Sequence, residues 1–152
     1  MTSHIETAGA SRRAVANSEE QPLLRYIVPV GRVLFAAIFV MAAFGHFSSQ
    51  SVAYAASQGV PLASVAVPLS GIIALVGGIS IALGFRARFG AWLIVLFLVP
   101  VTFMMHRFWA VDDAMMAQIQ QIMFLKNLSM LGAALVIAYT GAGPVSLDAR
   151  RD

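Results

Sequence analysis

The sequence contains no cysteine, and only 11% of its 152 residues are charged. Without cysteine the chain alone can form no disulfide, thiolate metal site, iron–sulfur cluster or thiol redox couple. Soluble domains carry about a quarter charged residues, so the shortage of charge excludes an ordinary soluble domain. Apolar residues fill the gap: they make up 59% of the chain, and mean hydropathy is +0.81. A globular core of this size cannot hide that much apolar surface from water. The 10 basic residues against 7 acidic ones give a formal charge of +3. They are too few and too scattered for a nucleic-acid surface. The partner this composition implies is the lipid bilayer.

Four apolar blocks carry that surface, at 27–47, 62–85, 89–109 and 119–139. A helix of about 20 residues, rising about 1.5 Å per residue, crosses roughly 30 Å of hydrocarbon. Strands of a membrane barrel would be about half as long and would alternate apolar with polar residues. The expected fold is all-α: a four-transmembrane-helix bundle over 26–143, running up-down-up-down. Residues 1–25 are polar and aperiodic and read as a flexible cytoplasmic tail, with 144–152 as a second one. Arg12 and Arg13 do not make an export signal, because Ala14 to Glu20 ends in two acids where an apolar stretch is required.

Basic residues set the expected sidedness. Arg12, Arg13, Arg25 and Arg32 precede or open the first span; Arg86 and Arg88 flank the turn between the second and third. Arg150 and Arg151 follow the fourth span. The 48–61 loop has no charge, and 106–118 carries Arg107 with Asp112 and Asp113. Both termini are therefore expected in the cytoplasm. Arg32, five residues into the first block, reads as a side chain snorkelling to lipid head groups.

Small residues recur at helical spacing: Ser70, Gly71, Ala74, Gly77 and Gly78 in the second span, and Gly132 in the fourth. Such stripes let helix backbones approach where lipid gives no hydrophobic drive for association. Pro68 and Pro100 each remove a backbone bond within a span.

Polar groups at membrane depth are costly, so their positions are informative. His46, His106, Lys126 and Asn127 are all expected near the face that bears the 48–61 loop. They would converge from the first, third and fourth spans on one pocket rimmed by Phe103, Phe108 and Trp109. Hydrogen-bond donors around an aromatic cleft suit the head group of a bound quinone, whose carbonyl oxygens accept and whose ring stacks. A histidine, titrating near neutral pH, can carry the protons of quinone reduction. Against this stands the plain structural reading, in which these groups pair or snorkel and Trp109 is a belt residue. A haem held by His46 and His106, or a metal held by them with Asp112 or Asp113, has no spacing motif behind it. No catalytic residue can be assigned, and no covalent cofactor is expected.

Several short motifs recur in a fixed order: Gly31-Arg32, Gly45-His46, Gly59-Val60-Pro61, Gly77-Gly78 and Leu83-Gly84-Phe85-Arg86. His106 with Phe108, Phe124-Leu125-Lys126-Asn127-Leu128, Gly132, and Thr140-Gly141-Ala142-Gly143-Pro144 complete the series. In this order the chain resembles the DoxX family of small four-helix bacterial membrane proteins, over about residues 30–148. The resemblance implies an inner (plasma) membrane location and an accessory or quinone-interacting subunit in respiratory redox or oxidative-stress chemistry. It also implies a membrane or soluble redox partner, and leaves room for a homo-oligomer. His46 stands where that family often has Lys, and Ala74 where it often has an acid, so the ion pair those two would form is missing. A non-enzymatic membrane scaffold is the alternative. A small transporter is disfavoured by the shortness of the chain and the absence of an inverted repeat.

Overall fold

Apolar runs wind into helices here because lipid offers the backbone no hydrogen-bond partner. The computed structural model describes residues 24–150, so the N-terminal tail with Arg12 and Arg13, and Arg151, lie outside the described residues. Helix α1 spans Ile27–Ala43 and tightens into a 3-10 turn, Phe44–Phe47. A short helix α2, Ser49–Ser57, follows within the first loop. Helices α3 (Ala63–Leu83), α4 (Ala87–Met105) and α5 (Ala114–Thr140) complete the chain, with 3-10 turns at Phe108–Ala110 and Asp148–Arg150. No strand occurs among the described residues. Among the described residues four helical segments are long and apolar enough to cross a membrane: Ile27–Phe47, Ala63–Leu83, Ala87–Ala110 and Ala114–Thr140.

Two boundaries differ from the apolar pattern for reasons of capping. The Asp113 carboxylate accepts from the Met116 amide at 2.8 Å, so α5 begins five residues before its apolar block. The Ser48 hydroxyl likewise accepts from the Ser51 amide, at 3.2 Å, and starts α2 where only a loop is expected. Both α3 and α4 run on as helix through Pro68 and Pro100.

Helix α3 is packed on two sides. A Cβ on Gly78 would lie 2.9 Å from Val40 Cγ2, and one on Gly71 would lie 2.7 Å from His46 Cβ, both on the α1 side. A Cβ on Gly77 would meet the Gly90 carbonyl of α4 at 2.9 Å. The main helix contacts are thus α1–α3, α3–α4 and α4–α5, and α1 makes no comparable contact with α5. Between them lies a core of Ala36, Phe39, Ala74, Ile81, Ile94 and Leu98, with Ala134 from α5.

At the end carrying the 84–86 turn, the C-terminal segment folds back onto the helices. The Arg32 guanidinium is only 4% exposed and donates to the carbonyls of Ala142 and Val145. Arg32 therefore does not snorkel to head groups: its partners are backbone oxygens of a segment more than a hundred residues away. Gly84, at φ 63°, leaves the space this requires, since a Cβ there would lie 2.5 Å from Arg32 Nη1. The Asp148 carboxylate accepts from the Arg86 and Ala87 amides at 2.7 and 3.1 Å, capping α4 from the C-terminal segment.

Candidate functional site

The opposite end, which carries the 48–61 loop, is hollow. A cavity of about 410 Å³ lies where α1, α3 and α4 meet beneath α2. Its volume falls within the range of small-molecule sites, roughly 300–1,000 Å³. The walls are nearly all apolar, with Pro100, Met104 and Met105 from α4 and Ala66 and Val67 from α3. Polar groups enter from His46, Ser70, Ser51 and Tyr54.

His46 and Ser70 form the polar corner of this cavity. The 3-10 turn after α1 brings the His46 imidazole over α3, and Gly71 leaves its Cβ room to settle there. His46 Nδ1 lies 2.8 Å from Ser70 Oγ, and the imidazole leans on the Phe97 ring at 5.6 Å between centroids. The Ser70 hydroxyl has one proton, which it donates to the Val67 carbonyl at 2.7 Å. Its oxygen can then accept from Nδ1–H, the arrangement in which the neutral ring carries its proton on Nδ1. Besides Ser70 the ring interacts with the Val67 backbone, and in this tautomer Nε2 carries the lone pair that a ligand can use.

The remaining expected site residues do not join His46. His106 Nδ1 pairs with Gln120 Oε1 at 2.8 Å, across the α4–α5 contact. Phe103, Phe108 and Trp109 gather instead around Phe124 of α5, with centroids 5.4, 5.6 and 5.8 Å from it. Lys126 is exposed on the outside of α5, its Nζ 3.3 Å from Met123 Sδ. Asn127, the next residue, is only 5% exposed, and its amide makes no hydrogen bond to a described residue. One step along a helix turns a side chain by about 100°, so these neighbours face opposite ways. The expected single pocket is therefore two separate groups, because α5 packs on α4 and not on α1.

Of the expected packing residues, Gly71, Ala74, Gly77 and Gly78 are buried, and Ser70 is half-buried and serves the cavity. Gly132 is exposed, and a Cβ there would meet nothing within 4 Å, so it is no packing residue within the chain. Among the described residues no three His, Asp or Glu side chains gather as a metal site.

Sequence reasoning missed the roof of the cavity. Tyr54 and Ser51 stand on α2, and Arg107 Nη2 donates to the Gln58 carbonyl at 2.9 Å, tying the end of α2 to the loop after α4. The signal was the Ser48-Ser49-Gln50-Ser51 run after Phe47, an N-cap pattern.

Comparison with known proteins corrects the family. The sequence profile of the SURF4 family matches residues 11–152, and this replaces the DoxX resemblance. The motifs that carried that resemblance mark helix ends and close contacts: Gly84 and Arg32 seat the C-terminal segment, and Gly77 and Gly78 admit neighbouring helices. Packing needs of this kind are not specific to one lineage. The chain is 32% identical to the inner membrane protein YphA of Escherichia coli (strain K12) over 130 residues, covering 86% of this chain and 91% of that protein. It is 30% identical to the inner membrane protein YqjF of the same organism over 123 residues, 80% of this chain and 88% of that protein. No solved structure matches it. With four membrane-length helices and a family match over nearly its whole length, the chain belongs to the SURF4 family, as an integral protein of the inner membrane.

Proposed function

We propose that this protein is a membrane-embedded binding subunit whose cavity holds the ring of a quinone or quinol, as an accessory to a redox partner in the membrane or beside it. The observation that carries the reading is the cavity itself: apolar walls with the His46 imidazole at one polar corner. A neutral Nε2 accepts a hydrogen bond from a quinol hydroxyl, and a protonated one donates to a quinone carbonyl. The methionine-rich wall of Met104 and Met105 adapts its shape to a ring. With no cysteine in the chain, electrons that pass here reside in the bound ring or in the partner.

The chain runs up-down-up-down with both termini in the cytoplasm. Supporting this, contacts pair Gly78 with Val40 and Gly71 with His46, while His106 pairs with Gln120 far from Arg88 beside Gly141. Arg25, Arg32, Arg86, Arg88 and Arg150 share the end that would face inward.

Mass spectrometry of the protein purified in mild detergent tests the reading. It should detect an isoprenoid quinone at a substantial fraction of one per chain. A preparation free of quinone and of partner subunits would contradict it.

A further inference from the structure

A second cleft, of about 580 Å³, opens at the other end of the molecule, between the start of α4 and the end of α5. It is lined by Arg86 and Arg88 on one side and by Gly141, Ala142 and Gly143 on the other. We propose that this cleft binds the phosphate of an anionic phospholipid.

Four observations carry the proposal. Arg88 makes no hydrogen bond or ion pair to a described residue, and Arg86 only leans on the Phe85 ring. The single carboxylate in the cleft, that of Asp148, is directed onto the Arg86 and Ala87 amides, where it caps α4. The two guanidinium groups therefore dominate the cleft's charge.

The facing wall adds donors. Arg32 holds the Ala142 carbonyl on the protein side, and all peptide bonds of the described chain are trans. In a trans peptide the carbonyl and the following N–H point in opposite directions, so the Gly143 N–H is turned away from Arg32. Neither the Gly143 nor the Ala142 amide has a partner among the described residues.

Position supplies the fourth observation. The cleft sits where α4 begins and α5 ends, and the ends of helices of spanning length reach the level of the lipid head groups. Beside it Phe89 is 59% exposed and Tyr139 86% exposed, which gives glycerol and acyl chains an apolar flank to follow. Guanidinium forks and free amides are the donors that phosphate oxygens accept.

The test is native mass spectrometry of the delipidated full chain titrated with phosphatidylglycerol or phosphatidylcholine of identical acyl chains. Wild type should retain phosphatidylglycerol about tenfold more strongly, from about two favourable arginine contacts. The R86Q/R88Q double variant should lose that preference, and Lys126→Gln, with its cation on the outside of α5, should keep it. Arg88→Gln alone, which spares the left-handed Arg86 backbone position, should lose part of it if the double variant fails to fold. Millimolar inorganic phosphate or glycerol phosphate that displaces the lipid would identify a soluble phosphate as a ligand of the same cleft. Equal retention of both lipids by wild type, or a preference surviving in the double variant, would overturn the proposal.

Discussion

Two arginines close the two ends of this molecule, and they do so to different degrees. Arg32 sits in α1, donates to two carbonyls and is nearly inaccessible; around it Gly84 and Ser146 fill the remaining space. Arg107 follows α4 and donates to a single carbonyl, that of Gln58. Each leaves its Nε buried without a partner, so neither is fully satisfied. The C-terminal segment is thus locked onto the helix ends by several hydrogen bonds, while the α2 loop is held by the Arg107 bond and by the apolar cluster of Ala55, Ala63 and Val67 beside an unfilled space. An end that must only be closed can be filled. The proposed binding end keeps its cavity open beneath α2.

The difference between the two ends should be largest at Arg32. Arg32→Ala should leave two carbonyls without their donor and cost about 3 kcal/mol, read as a lowered thermal midpoint of the detergent-solubilised protein. Limited proteolysis of the same variant should cut within 141–150 sooner than in wild type. Arg107→Ala removes one hydrogen bond at a partly exposed site, so its cost should be about 1 kcal/mol. Its larger signature should be faster hydrogen exchange in 49–58 with little change in 141–150. A common effect of both variants on both ends would mean that the ends are one cooperative unit, contrary to the comparison.

Much of the architecture was legible because membrane-spanning helices announce themselves in composition. Four apolar runs of sufficient length became four helices, and Gly71, Ala74, Gly77 and Gly78 lie buried on the helix that has neighbours on both sides. Gly132 looks the same in sequence yet faces open space, since only the packing of α5 against α4 decides which side of α5 is covered. Lys126 and Asn127 make the same point at adjacent positions: the amide is inside and the ammonium outside. The role of Arg32 was illegible because its partners lie at 142 and 145, and no local pattern links an arginine to a distant backbone oxygen. The partnership of His46 with Ser70 was hidden for a related reason. Ser70 reads as one of a stripe of small residues until the 3-10 turn after α1 brings an imidazole to it. The DoxX resemblance rested on short glycine motifs, which report how helices pack and do not single out one family.

The cavity beneath α2 is proposed to bind a ring through His46. Titration of the purified protein with a short-chain quinol analogue, comparing wild type with His46→Ala and Lys126→Ala, tests it most directly. Binding should be about tenfold weaker for His46→Ala, the effect of losing one hydrogen bond in an apolar site, and unchanged for Lys126→Ala. Equal affinity of wild type and His46→Ala would contradict it.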